Sequence, residues 1–539
     1  MFPRRRSASG REPGRRRTPL ALVAAAALAA AATTVPPAAA DSGAVPVQYV
    51  AKLYTEVLGR APDRAGYAGY LAGFAASGCS PTSLREAGES FFTSGEFSAA
   101  GYDHAQQALV AYRAVLNREP DPGGLADAIA QLDAGRTIVN VIDGFYASGE
   151  FTDLAGRICG ANDPDYGWGT LDAADLPVSG PGYSGDQAGL QAALDAAGSG
   201  GSVTLAENAV VRLTGTLRIP SGVHLYTTGQ PKATRYAAMG RLVRQPGWSG
   251  ESVRVEPGAR LTSVWVTGDR TRETSYDAGR KNIRTAGGAD TVVRDDRVDE
   301  TAGATSLETL TAAYDGVAQC ARLTVADNLI TVYSSRHGGG LWSDGISNHC
   351  EDADISGNGV VDATDVGIVS FVLGTAVAQR SHVHGNLVVQ AGHESYGMLG
   401  ADPYFDDGPG DAPGNASRSF AGFLLEDNTL YTSDRVMTEF GIAVGTREWF
   451  GDRTKTASGG TWSGNTSDGG TVRAMVGIVV SGMLDVTVTG NDLNTDVRSD
   501  GRSSCTPAAV GASVSAGYAS GTLPAHTDAF YNGCLVSEP

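Results

Sequence analysis

Short runs of alternating apolar and polar residues recur through the second half of the chain, and six of them end in one turn signal, Gly-Asn or Asp-Asn. The runs RLTVADN, DADISGN, RSHVHGN, GFLLEDN, GTWSGN and VTVTGN place that asparagine at Asn328, Asn358, Asn386, Asn428, Asn465 and Asn491. Alternation predicts half-buried strands. Strands repeating at this interval predict a solenoid, in which each coil buries its apolar face against the coils above and below. Asparagine suits the bend because it tolerates left-handed backbone and stacks into hydrogen-bonded ladders. The expected fold is mainly β, a right-handed parallel β-helix over residues 186–536. Asp186 is placed to cap a short helix covering the first coil.

Residues 47–160 change to helical spacing and contain a duplication. AKLYTEVLGRAPDRAGY returns as LVAYRAVLNREPDPGGL, setting Arg60, Asp63 and Gly66 against Arg118, Asp121 and Gly124, and FFTSGEF returns as FYASGEF. The prediction is an N-terminal all-α domain of two repeats. The segment resembles small helical domains of unknown function found in secreted bacterial proteins, with a Leu-Gly-Arg-x-Pro-Asp and Ser-x-Glu-Phe pattern; Asn117 replaces a glycine in the second copy. That resemblance implies an interaction or anchoring module, with a cell-wall or surface partner. Residues 161–185, rich in Gly, Pro and Asp without a period, read as a linker.

The first forty residues join seven arginines to an apolar, alanine-rich run and predict a secretory signal peptide over 1–40. The expected address is extracellular, with no membrane span in the mature protein. Without that segment 34 basic residues face 58 acidic ones, a formal charge of −24. Such a field repels nucleic acid and favours a neutral glycan over a polyanion. The six cysteines fall as Cys79 with Cys159, Cys320 with Cys350 and Cys505 with Cys534. In an oxidising compartment they read as disulfides, although six cysteines allow many connectivities.

A second register runs through the coils as Asp344-Gly345-Ile346, Val366-Gly367-Ile368, Tyr396-Gly397-Met398, Phe440-Gly441-Ile442 and Val476-Gly477-Ile478. Acidic residues crowd its start: Asp344, Asp365, Glu394 and Glu439. Stacked parallel strands lie about 4.8 Å apart, so Asp365 and Glu439, two coils apart, fall about 9.6 Å from each other and Asp344 about 6 Å from Asp365. Glycosidases flank the scissile bond with two carboxyls about 5 to 5.5 Å apart for retention or about 6.5 to 9.5 Å for inversion. Aspartate is also an ordinary turn residue of such coils. What singles out this stretch is its histidines, His337, His349, His382, His384 and His393, five of the eight in the chain.

His382 and His384 share one strand face and suit a sugar subsite, with metal binding as the lesser reading. Counting from the asparagines sets Asp365, His393 and Arg435 in one column, a candidate polar subsite. Tyr404, Phe405, Trp449 and Phe450, in long insertions, offer rings for stacking on sugars. No cofactor and no resident metal are expected; Asp402, Asp406 and Asp407 form a candidate calcium loop whose spacing departs from DxDxDG.

From Gly185 to the C-terminus the coils resemble the pectin lyase-like superfamily of secreted β-helices, which holds polysaccharide lyases and glycoside hydrolases. Within it, SDGI and ATDVGI look like the two acidic motifs of polygalacturonase-type hydrolases, matched at Asp344 and Asp365. Thr364 and Val366 flank Asp365 where that family pairs its aspartates, SHVHGN echoes its His-Gly motif loosely, and Arg-Ile-Lys is absent. The reading is a secreted glycoside hydrolase using paired carboxylates. The alternatives are a lyase acting on a uronate polymer, disfavoured because the β-region holds only Lys232, Lys281 and Lys455, and a noncatalytic glycan-binding surface protein.

Overall fold

The computed structural model describes residues 45–160, 171–273, 275–311, 319–332, 342–372, 378–403, 418–446, 457–498, 527–531 and 534–535. Coils such as Ala353–Ser356, Gly359–Val361 and Val366–Phe371 contribute one strand to each of three sheets. The first sheet runs in coil order from Ser202–Leu205 to Thr487–Thr489, the second from Val210–Leu213 to Thr429–Thr432, and the third from Leu217–Ile219 into Arg473–Leu484. Pairing is parallel throughout until Thr527–Tyr531 joins the third sheet antiparallel. The chain is a parallel β-helix preceded by helices.

Inside the stack the same positions repeat coil after coil. Val325, Ile355, Val383, Leu425, Trp462 and Val488 pair in sequence along the first sheet, and Leu307, Ile346, Ile368, Leu399, Ile442 and Ile478 along the third. All belong to one buried core. The helix Gln187–Ala197, capped by Asp186 accepting from the Gly189 amide, buries Leu190 and Leu194 against the first coil.

The six asparagines form one unbroken ladder. Each Nδ2 donates to the next Oδ1, from Asn328 through Asn358, Asn386, Asn428 and Asn465 to Asn491, at 2.7–2.9 Å. The same Oδ1 atoms accept the backbone N–H of the preceding asparagine, and the remaining Nδ2 proton goes to a carbonyl such as Val325 or Ile355. The left-handed residue of the bend is not the asparagine, as expected above, but the one before it. Asp327, Gly357, Gly385, Asp427, Gly464 and Gly490 have φ of 53–66°. That twist turns the asparagine N–H along the stack axis, which is why Gly or Asp precedes Asn. One coil earlier Asp295 takes the left-handed place and Asp296 the inner one, donating its N–H to Asn328 Oδ1.

The duplicated pattern in the helical region is a structural clamp. Arg60 lies 5.0 Å over the Tyr54 ring and pairs with Glu96 at 2.7 Å, while Asp63 caps the next helix at Gly66. Arg118, Tyr112, Glu150, Asp121 and Gly124 repeat the arrangement, with Arg118 also 5.0 Å from its ring. A Cβ on Gly66 or Gly124 would lie 2.2 or 2.1 Å from the tyrosine hydroxyl beneath it. Gly59 is held by a neighbour as well: its Cβ would meet the Ala233 carbonyl at 2.3 Å. Asn117 keeps the left-handed backbone, φ 52°, at the matching place.

The helices dock on the second sheet through buried ion pairs. Glu56 accepts from Arg113 at 2.8 Å, Arg297 at 2.6 Å and Tyr236 at 3.0 Å. Asp299 accepts from Arg113, Arg297 and Trp265, and Glu119 from Arg113 and Arg241. Burial alone would raise the carboxyls, but the Arg113 and Arg297 charges hold Glu56 well below the usual range, and Arg241 with Arg113 brings Glu119 down to about 2. The described part of the expected linker packs here too: Asp172 pairs with Arg212 and Arg272, and Ala173 and Leu176 are buried. Cys79–Cys159 and Cys320–Cys350 form disulfides, with Cα atoms 5.4 and 5.1 Å apart, a mark of an oxidising compartment. Cys505 lies outside the described residues, and the Cys534 side chain is not described. Among the described residues no helix is long and apolar enough to cross a membrane.

Candidate active site

The outer face of the third sheet carries the acidic cluster. Its strands place an outward residue, then an inward pair, then another outward residue, so that Asp344 and Ser347 share the outside while Gly345 faces the core near Val360. A side chain at Gly345 would strike Val360 and the Gly367 carbonyl, which explains the glycine. Asp344 is fully buried; it accepts from Ser347 Oγ at 2.6 Å and from the Val366 amide at 2.9 Å. Burial pushes its carboxyl up to about 7, opposed by those two donors and reinforced by Glu308 and Asp402.

Asp365 begins the next coil, its N–H bonded to the Ser343 carbonyl and its carbonyl accepting from Tyr396 and Gly397. It is half-buried. Desolvation, then Asp344, Glu439 and Asp402, raise its carboxyl well above the ordinary range. Strand pairing of Val366 with Gly397 and of Gly397 with Phe440 puts Asp365, Tyr396 and Glu439 in one register column. Glu439 is 3% exposed, and Tyr396 stacks on Trp342 at 5.1 Å and meets Phe440 edge-on at 5.6 Å.

Toward the N-terminal coils the same face carries Glu308, which pairs with Arg284 at 2.7 Å and Lys281 at 3.7 Å, and lies 4.0 Å from His349 Nε2. His349 stacks on Phe371 at 4.4 Å, and burial holds its imidazole well below its ordinary pKa. Thr305 bridges to Ser347 at 3.0 Å. Lys281, Arg284, Glu308, Trp342, Ser347, Phe371 and Tyr396 were not singled out as site residues above. The coil holding Glu308 has Asp296 in place of the marker asparagine, so the turn signal did not reveal it.

Several expected groupings are divided. Tyr396-Gly397-Met398 is one residue out of step with its neighbours, because Gly397 pairs with Val366 and Phe440 rather than with their glycines; the Phe440 ring lies where a Gly397 Cβ would be. Glu394 therefore precedes the column and is exposed in the turn before Ser395. The column of Asp365, His393 and Arg435 dissolves for a related reason. The turn into the third sheet is longer in the two later coils, so counting from the asparagine loses register: Tyr396 and Glu439 stand where His393 and Arg435 were expected. His393 is buried with its N–H on Asp362, and Arg435 lies 3.9 Å from Asp434.

His382 and His384 lie on the first sheet, away from the acids of the third. Their rings stack at 3.9 Å, with His382 on Glu426 at 2.9 Å and His384 on Asp354 at 3.1 Å. Asp402 accepts from Thr446 Oγ1 at 2.6 Å and faces the acidic cluster. Tyr404, Phe405, Asp406, Asp407, Trp449, Phe450 and His337 lie outside the described residues.

The family described as a domain of unknown function, DUF4214, matches residues 88–155, within the helical region. No curated protein matches the chain. Among solved structures, the tailspike protein of E. coli bacteriophage HK620 in complex with a pentasaccharide is 12% identical, with a TM-score of 0.29 over 58% of this chain and 63% of the tailspike. The chain thus spans less than two thirds of that protein's length. An alginate lyase from Paenibacillus sp. strain FPU-7 is 12% identical, with a TM-score of 0.33 over 52% of this chain and 92% of the lyase. Likenesses this distant carry no residue-level correspondence.

Proposed function

We propose that the chain is a secreted glycoside hydrolase whose third sheet cleaves a polysaccharide by carboxyl acid–base catalysis. The observation that carries the reading is the register column of Asp365, Tyr396 and Glu439, with Asp344 one coil before. Asp365, kept protonated by burial and by the neighbouring carboxylates, is the proton donor to the glycosidic oxygen. Glu439, two coils on and about 9.6 Å away by strand spacing, activates water on the opposite side of the sugar. That separation favours inversion. Asp344, with both oxygens engaged, holds the Asp365 proton in place rather than attacking. Trp342 and Tyr396 supply apolar faces for the ring.

A second reading, a lyase, draws support from Lys281 and Arg284 on the same face, cations that a uronate carboxylate requires. One screen of neutral and acidic polysaccharides, recording reducing ends and unsaturated products together, separates the two. Hydrolysis gives reducing ends alone. Unsaturated product selects the lyase, and binding without either product removes both.

A further inference from the structure

Lys52 and Asn117 meet in the interior of the helical region, 1% and 0% exposed, with Lys52 Nζ 2.5 Å from Asn117 Oδ1. A carbonyl bond is about 1.23 Å, so the carboxamide carbon lies no farther than about 3.7 Å from the amine, close to the 3–3.5 Å of a reacting pair. Lys52 ends the helix Val47–Lys52 and is followed by the π-helical turn Leu53–Val57. Asn117 follows the helix His104–Val115 of the second copy.

The internal duplication makes the pair more pointed. Aligning Arg60 with Arg118 sets Lys52 against Val110, Glu56 against Ala114 and Asn117 against Gly59. Three departures from the repeat therefore converge at one place: a lysine, an asparagine amide and a carboxylate one turn along the lysine's own helix. The Lys52 charge contributes to holding Glu56 ionised, which sets the two near each other. Tyr49, Val50, Leu53, Val115 and Leu116, adjacent in sequence, are all buried. Burial keeps water from the amine and holds it against the Asn117 carboxamide.

We infer that Lys52 and Asn117 join in an intramolecular isopeptide bond. Nζ adds to the Asn117 carboxamide carbon, the bond from that carbon to its amide nitrogen breaks, and the new carbon–Nζ bond remains. The departing nitrogen takes the two protons that the Lys52 ammonium sheds and leaves as ammonium. No oxidant or cofactor enters. Like Cys79–Cys159, the bond ties the first copy to the second.

The test is the mass of the secreted full chain, reduced to open its disulfides and compared with the value calculated from its determined N-terminus. The expected result is a deficit of about 17 Da, one ammonia, with a branched peptide after digestion that contains both Lys52 and Asn117. Lys52→Arg and Asn117→Ala should each restore the full mass. Should either variant fail to fold, the native chain still decides: full mass with separate Lys52 and Asn117 peptides overturns the bond.

Discussion

Asn358→Ala interrupts the asparagine ladder in its middle, and its cost follows from the bonds it strands. Asn358 accepts at Oδ1 from the Asn328 N–H at 3.1 Å and Nδ2 at 2.9 Å, and donates to Val325 O and Asn386 Oδ1, each at 2.9 Å. Two of those partners keep other bonds: Asn328 Nδ2 still reaches Val293 O, and Asn386 Oδ1 still accepts the residue 358 backbone N–H. The Asn328 N–H and one Val325 carbonyl site lose their partners in a place with no solvent access. At about 1–3 kcal/mol for each of the two stranded groups, the expected loss is about 2–6 kcal/mol. Equilibrium denaturation in guanidinium, read as a lower midpoint at unchanged slope, measures it. Asn358→Asp gives an internal control: its second oxygen can donate only when protonated, so its loss should shrink as the pH falls toward 4. A cost for Asn358→Ala below about 1 kcal/mol, the range of a surface change, refutes the ladder as a source of stability.

Asp296 already occupies the ladder as an acid, and burial raises its carboxyl well above the ordinary range. A raised folded-state value means that its stabilising contribution is complete below the unfolded value, near 3.9, and is lost as the pH climbs toward the folded one. Asp296→Asn should therefore stabilise the chain at pH 7 and lose that advantage near pH 4; a pH-independent difference in denaturation midpoint counts against it. The same sign applies to Asp365, so Asp365→Asn should raise the midpoint at pH 7 while cutting turnover by about 10²–10⁴-fold, read as reducing-end release. A stability loss together with full activity would remove Asp365 from the mechanism. Arg297→Ala leaves Glu56 and Asp299 short of a buried partner and should cost about 3–5 kcal/mol, with Trp265 fluorescence reporting the loosened helices. An unchanged midpoint shows that water or Arg113 compensates.

The coil stack was legible because its marker repeats: Asn must be inside, Gly or Asp must precede it, and both are short-range requirements. Register on the third sheet was only partly legible. Asp365 and Glu439 fell correctly into one column, whereas Gly397 misled because its glycine answers to the Phe440 ring rather than to the turn. Histidine clustering along the chain did not become one cluster in space, since His382 lies on the first sheet while His349 follows the third-sheet strand Asp344–Asn348. The docking of the helices had no sequence signal at all. Glu56 and Arg297 stand 241 residues apart, and neither belongs to a repeated pattern.

The helices touch the solenoid along nearly its whole length. Gln106 bonds Asn208 beside the first coil, Tyr102 reaches Thr234, Arg113 reaches Asp299, Ala61 abuts Gly359, Gln48 abuts Gly392, and Pro62 accepts from Tyr431. A free solenoid tolerates the gain or loss of a whole turn, since every turn meets an equivalent neighbour. Here such an event would slide all later footholds by about 4.8 Å against a rigid splint. The number of turns beneath the helices is thereby locked, and insertions are confined to the loops that leave the stack.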